Sequence, residues 1–107
     1  MTEMNNRTVT YGMLLLFVSL IVLAACESQG AKLYWSNRCE ECHTINGKGG
    51  SSGPNLTYVG SKRSREYIFQ QIKDPKSHNP NSDMPAFGTR LSDQDINALA
   101  DYLAGMK

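Results

Sequence analysis

Polar and apolar positions divide the chain into a polar start, an unbroken apolar run and a long amphipathic remainder. Residues 1–11 are largely polar with a single Arg7. Residues 12–25 are apolar or small, interrupted only by Ser19. Beyond them, three stretches carry helical spacing. Residues 31–38 read as a short helix, with Leu33 and either Tyr34 or Trp35 as its apolar positions and Trp35 expected in the core. Ser64 can cap a second helix, with Glu66 favourable in its first turn and Ile68, Phe69 and Ile72 as a narrow packing stripe. Asp74-Pro75 stops it, because the residue before proline avoids the helical region. The clearest helix spans 91–104. Ser92 and Asp95 form a capping-box pattern, Leu91 and Ile96 a hydrophobic staple, and Ile96, Leu99, Ala100 and Leu103 recur at helical spacing up to Gly105. The segments between are a glycine-rich loop (residues 44–53) and an irregular stretch (residues 76–90) holding Pro80 and Pro85. Nothing alternates like a strand, so the expected class is all-α.

Length adds one constraint. A chain of 107 residues supports one small domain, and a core of that size commonly needs a staple, metal or cofactor to reach useful stability. Charge excludes one class of partner. Eleven Lys and Arg against ten Asp and Glu leave no basic stripe of the kind that nucleic acid requires.

Candidate chemistry is concentrated in Cys39-Glu40-Glu41-Cys42-His43. C-x-x-C-H is the attachment signature of a c-type haem. Two thiols with two residues between them fall about one turn apart, which suits thioether bonds to the two vinyl groups of one porphyrin. The histidine next in the chain is then held beneath the ring, within reach of the iron. A thioredoxin-like C-x-x-C would want a βαβ context, and a zinc site would want further Cys or His where only His78 remains. Gly47, Gly49, Gly50 and Gly53 invite a phosphate-cradle reading, but Gly-Lys-Gly-Gly matches neither the P-loop nor the dinucleotide spacing. Close backbone approach to a flat ligand is the better use of such a loop. Haem iron with one histidine needs a second ligand or an open site. Met84, in a proline-stiffened loop, is the expected ligand, the alternatives being an open position or His78. His78, in a polar Ser-His-Asn stretch, is expected to be exposed.

The apolar run of residues 12–25 is shorter than the ~20 residues of a membrane span and fits the h-region of a signal peptide. Its end, Leu23-Ala24-Ala25-Cys26, resembles a bacterial lipoprotein box. That implies a signal peptide over residues 1–25, acylation of Cys26, and a short linker over residues 26–29 before a domain at 30–107. Four residues, Glu27 to Gly30, reach about 14 Å at most, so the domain would ride close to the bilayer. Acyl chains in number give firm attachment. The expected location is the bacterial cell membrane, facing the periplasm or the outer side of the cytoplasmic membrane.

From Gly30 onward the chain is similar to class I cytochromes c. Gly30 and Tyr34 resemble the small-x-x-x-aromatic pair that opens many members, where the glycine admits the last helix, with Tyr102 expected to cross near it. Gly53-Pro54-Asn55-Leu56 resembles the segment whose proline carbonyl accepts a hydrogen bond from the haem histidine, with the leucine packed on the haem. Met84-Pro85 resembles the axial-ligand loop. The chain is similar in this to small bacterial monohaem cytochromes and to the cytochrome c domain of haem–copper oxidase subunit II. The resemblance implies three to four helices wrapped around one covalently bound haem c. Its ligand set would be Cys39 and Cys42 for attachment, His43 and Met84 on iron, and Pro54 and Leu56 around them.

With both axial positions filled, no substrate reaches the iron, and the expected role is a monomeric electron carrier, not an enzyme. Its partners would be donor and acceptor redox proteins, a terminal oxidase among the candidates. Lys32, Lys48, Lys62, Arg63, Arg65, Lys73 and Lys76 would favour acidic surfaces around the haem edge. Two other readings follow from the same residues: a sensor or peroxide- or gas-reactive haem with a labile Met84, and a fixed electron-transfer subunit of a respiratory complex.

Overall fold

The computed structural model describes residues 7, 10–16 and 27–107. Cys26 and the expected cleavage boundary lie outside the described residues. Residues 10–16 are helical, with Leu14, Leu15 and Leu16 all exposed. Among the described residues no helix is long and apolar enough to cross a membrane.

Four α-helices form the domain: α1 (Gln29–Ser36), α2 (Val59–Lys62), α3 (Arg65–Lys73) and α4 (Asp93–Ala104). Serine caps start three of them. The Oγ of Ser28, Ser64 and Ser92 each accepts the backbone N–H three residues on, at 3.1 Å in every case, which satisfies one of the donors a helix start leaves open. The Ser28 cap starts α1 two residues before the point at which apolar spacing becomes visible. Gln29 is therefore already helical, Gly30 is buried inside the helix, and only Glu27 and Ser28 separate α1 from Cys26 in the sequence.

Helix α4 is the hub, packing on α1, α3 and α2. Its Ile96, Leu99, Ala100 and Leu103 are buried against Leu33 and Tyr34 of α1 and Ile68 and Ile72 of α3. Burial of each large apolar side chain is worth about 1.5–3 kcal/mol, so this shared stripe supplies the main cohesion. Helix α1 approaches so closely that a Cβ on Gly30 would strike the Ala98 carbonyl oxygen and the Tyr102 Cβ. The expected crossing of Tyr102 near Gly30 is thus present. Short polar ties add to it: Arg65 binds Asp101 and, at 2.9 Å, Asn97, while Lys73 binds Asp93 at 2.9 Å. Arg65 holds the exposed Asp101 carboxyl below its usual range.

Three expectations need correction. Trp35 is not core: it is 42% exposed, with Tyr34 buried completely beside it and the rings edge to face at 5.3 Å. Gly30 and Tyr34, four residues apart, share the face toward α4, and Trp35 falls about 100° further round the helix. The glycine-rich loop does contain strand, a minimal antiparallel hairpin in which β1 (Thr44–Ile45) pairs with β2 (Lys48–Gly49). Asn46-Gly47, both at positive φ, turn it, and Asn-Gly is a strong short-range hairpin signal. Helix α2 was not visible as periodicity. It forms where Gly60 N–H reaches the Met106 carbonyl at 2.7 Å, closing the chain end onto the domain.

Candidate haem site

Helix α1 ends at Ser36 with Asn37 as its cap, and Arg38 then reverses the chain in the left-handed region at φ 60°. That conformation costs a non-glycine residue of order 1 kcal/mol. It turns Cys39–Glu41 into a single 3₁₀ turn, closed by the Cys42 and His43 N–H groups on the Cys39 carbonyl. Both thiols are free: Cys42 is exposed and Cys39 half-buried. Burial, with the Glu40 carboxylate adding to it, pushes the Cys39 thiol up to about 11. Glu40 Oε2 is itself buried without a hydrogen-bond partner.

Residues 44–56 wrap this turn through backbone hydrogen bonds. Gly50 N–H reaches the Glu40 carbonyl at 2.7 Å, Gly53 N–H that of Cys42 at 2.8 Å, and Leu56 N–H that of Thr44 at 2.8 Å. A Cβ on Gly53 would sit 2.7 Å from His43 Cε1, so only glycine lets the loop lie against the imidazole. The consequence is one residue on. His43 Nδ1 lies 2.8 Å from the Pro54 carbonyl oxygen. A carbonyl only accepts, so Nδ1 carries the hydrogen and Nε2 is left with the lone pair a metal requires. On the backbone side, the Tyr34 hydroxyl donates to the His43 carbonyl at 3.2 Å. Burial raises the Tyr34 hydroxyl to about 12, so it remains a donor throughout the physiological range. Tyr34→Phe should therefore lower unfolding free energy by about 1 kcal/mol while leaving the core volume intact, as read by urea denaturation.

His43 opens on an apolar cavity of about 330 Å³ including its open side. Leu56, Ile72, Phe87, Leu99 and Leu103 line it together with Tyr34 and Cys39, and Met84 lines the same space. Helices α3 and α4 thus contribute the walls and the 76–90 stretch contributes Met84 and Phe87, the latter buried at the start of a 3₁₀ turn (Phe87–Thr89). Cys39, His43, Leu56 and Met84 all meet at one cavity; Pro54 acts on it through His43. Cys42 follows from its place in the turn.

His78 lies outside the cavity lining. It is exposed, stacked on Tyr67 at 3.9 Å and hydrogen-bonded from Nδ1 to Gln71 Oε1 at 2.8 Å, so the reading that gave it the second axial position loses its geometry. Gln71 is a residue that sequence pattern missed; its signal was a polar side chain flanking the Ile68–Ile72 stripe. Of the basic residues expected to face partners, Arg65 and Lys73 are engaged with Asp101 and Asp93, and Arg63 lies over Tyr67.

The donors present fit a haem and not a bare ion. No three Cys, His, Asp or Glu side chains cluster as a metal site among the described residues. An imidazole with its outer nitrogen already satisfied, a thioether and two unpaired thiols on an apolar cavity are instead the set that a covalently held iron porphyrin uses.

Comparison with known proteins agrees. The Cytochrome c family model matches residues 27–107. Cytochrome c oxidase subunit 2 of Bacillus subtilis (strain 168) is 29% identical over 92 residues, covering 74% of this chain and 26% of that protein. The chain thus spans about a quarter of the length of the curated relative it matches. With α1, α3 and α4 bordering an apolar cavity, a C-x-x-C-H turn at its edge and a family match over residues 27–107, this chain belongs to the cytochrome c family, whose members transfer electrons on covalently bound haem.

Proposed function

We propose that this protein is a lipid-tethered monohaem electron carrier of a bacterial respiratory chain, its iron held between His43 and Met84. The observation that carries the reading is the shared cavity. His43, oriented by Pro54, and Met84 line one apolar space. A haem bound there supplies one-electron exchange between Fe(II) and Fe(III). The chain's own groups do the rest. Cys39 and Cys42 would hold the porphyrin by thioether bonds, and His43 presents Nε2. Met84 presents a neutral sulfur, which favours the reduced state over what a second imidazole would give. Leu56, Ile72, Phe87, Leu99 and Leu103 exclude water and press the potential the same way. With His43 and Met84 both holding the iron, no substrate would have access to it, which would separate a carrier from an enzyme.

The exposed leucines at 14–16 and the Ala24-Ala25-Cys26 boundary support export and acylation at Cys26. With α1 starting at Gln29, the tether is two residues long, so the domain would work against the outer face of the bilayer as a monomer. The relative's name, an oxidase subunit, supports a terminal oxidase as one redox partner, reached by a diffusing carrier or within a fixed complex. Small, short-lived contacts suit the carrier.

The test is the optical spectrum and carbon monoxide reactivity of the full-length holoprotein. A ferric thioether–iron charge-transfer band, and no rapid carbon monoxide binding to the reduced form at neutral pH, are expected. Stoichiometric binding would replace the carrier by a gas-reactive haem. For the anchor, Cys26→Ser should move the protein out of the membrane fraction, or leave it held only by an uncleaved leader of higher mass. A variant that still fractionates with membranes at the mature wild-type mass would remove the lipid.

A further inference from the structure

The amide of Gln71, on α3, is engaged at both ends. Its Nε2 lies 3.7 Å from Met84 Sδ and its Oε1 lies 2.8 Å from His78 Nδ1. Chemistry fixes which end is which. A thioether sulfur can only accept, so the NH₂ group faces Met84 and the carbonyl faces the imidazole. His78 Nδ1 must then carry a hydrogen in either charge state. The imidazole is itself held, stacked on the Tyr67 ring at 3.9 Å with 2° between the planes. The turn that carries it, Pro75–Ser77, is tied back to α3 by Gln70 Nε2 on Ser77 Oγ at 3.3 Å. Gln71 is thus clamped between a fixed ring and the sulfur.

We propose that the Gln71 amide, which positions the Met84 thioether by occupying one sulfur lone pair so that the other is presented to the cavity, relays the charge of His78 to that sulfur. The proposal rests on the reading that Met84 ligates iron. Methionine has three rotatable bonds and a soft sulfur with two lone pairs, so a single contact does not fix which pair faces the metal. A hydrogen bond to the other pair does. It also draws electron density from sulfur, making it a poorer donor to Fe(III) than to Fe(II), which raises the potential. An imidazole ordinarily changes charge between about pH 5 and 8. Its cationic form is a stronger Nδ1–H donor, which polarises the amide and strengthens the Nε2–H bond to sulfur. The potential should therefore rise as pH falls.

The charged groups of the surrounding elements are Arg63, 4.6 Å from the Tyr67 ring centre, Asp74 and Lys76 on the turn of His78, and Asp83 beside Met84. Among the described residues none of these forms an ion pair with His78.

The experiment is a spectroelectrochemical titration of the holoprotein from about pH 5 to 8, on wild type, Gln71→Leu and His78→Gln, with the ferric thioether band and the ferrous Met84 methyl resonance recorded in each. At a fixed ambient potential, the wild-type ratio of reduced to oxidised protein should rise about threefold as the pH is lowered from the top of the range to the bottom, the worth of a modest hydrogen bond. His78→Gln, which can still donate to Gln71, should keep the high-pH potential and the methyl resonance but lose the step. Gln71→Leu should keep the band, lower the potential and shift the methyl resonance, with the step gone. A full step in Gln71→Leu would mean that His78 acts through space and would overturn the relay. An unchanged potential and methyl resonance in that variant would overturn the positioning role. Absence of the thioether band in wild type would sink the ligation reading and this proposal together, whereas the band with no variant effect sinks this proposal alone.

Discussion

Met84→Ala is expected to abolish the ferric thioether charge-transfer band, lower the reduction potential by roughly 0.1–0.3 V and open the reduced protein to carbon monoxide. Axial ligation commands a range of ~0.8 V across haem proteins, and the substitution exchanges a soft neutral donor for solvent. Alanine cannot reach across the cavity that Met84 shares with His43. Water, a harder ligand, stabilises the ferric state and yields to carbon monoxide on reduction. The fold should survive, because Met84 is only partly buried and the main apolar stripe lies on α4. Redox titration and carbon monoxide difference spectra of the purified holoprotein decide the matter. A variant with the wild-type band and potential would remove Met84 from the iron and return the second position to another donor.

The largest expected effect on stability comes from Gly30→Ala. Replacing glycine by alanine inside a helix ordinarily adds ~1 kcal/mol through propensity. Here the new methyl would meet the Ala98 carbonyl oxygen and the Tyr102 Cβ, with the Ala98 carbonyl carbon at 3.0 Å. Two of these are backbone atoms of α4, which cannot swing aside as a flexible side chain would. Helices α1 and α4 must separate, and Tyr34, completely buried between them, loses its packing. Overpacking of this kind costs about 1–3 kcal/mol and more when backbone must shift, so a net loss of about 2 kcal/mol is expected after the propensity gain. For a domain of this size that lowers the melting temperature by roughly 8–16 °C. Lys32→Ala, exposed on the same helix, is the control and should change stability by less than ~0.5 kcal/mol. A Gly30→Ala protein melting above wild type would show that propensity alone operates and that the helices do not touch there.

The two effects mark different depths of legibility in the sequence. Met84 could be proposed from position alone, because an iron ligand must be a particular atom and few side chains carry it. The helix capped by Ser92 was equally plain, since cap and spacing are local and the apolar stripe is long enough to repeat. Gly30 and Tyr102 were placed together by resemblance, and the packing agrees. Trp35 and Tyr34 were not separable, because two adjacent aromatic residues on a short helix both fit an apolar face until a partner helix selects one. The hairpin at 44–49 went unrecognised although Asn46-Gly47 announced it: two-residue strands carry no alternation to count.

What the sequence determined by itself is covalent and local: the turn that bears Cys39, Cys42 and His43, the serine caps, the apolar faces of α3 and α4, and membership of a haem-binding family. Those depend on residue identity at short spacing, where chemistry and helix geometry leave few alternatives. The resemblance implied that the Pro54 carbonyl meets His43, but spacing alone could not: the carbonyl comes from a loop 11 residues away, and the tertiary structure brings it to Nδ1. Only the tertiary structure decided that His78 faces Tyr67 and Gln71 in place of the cavity, and that Met84 sulfur meets an amide from α3. These are contacts between segments with no periodic relation to one another. Their geometry exists only once α4 has drawn α1 and α3 onto a common core.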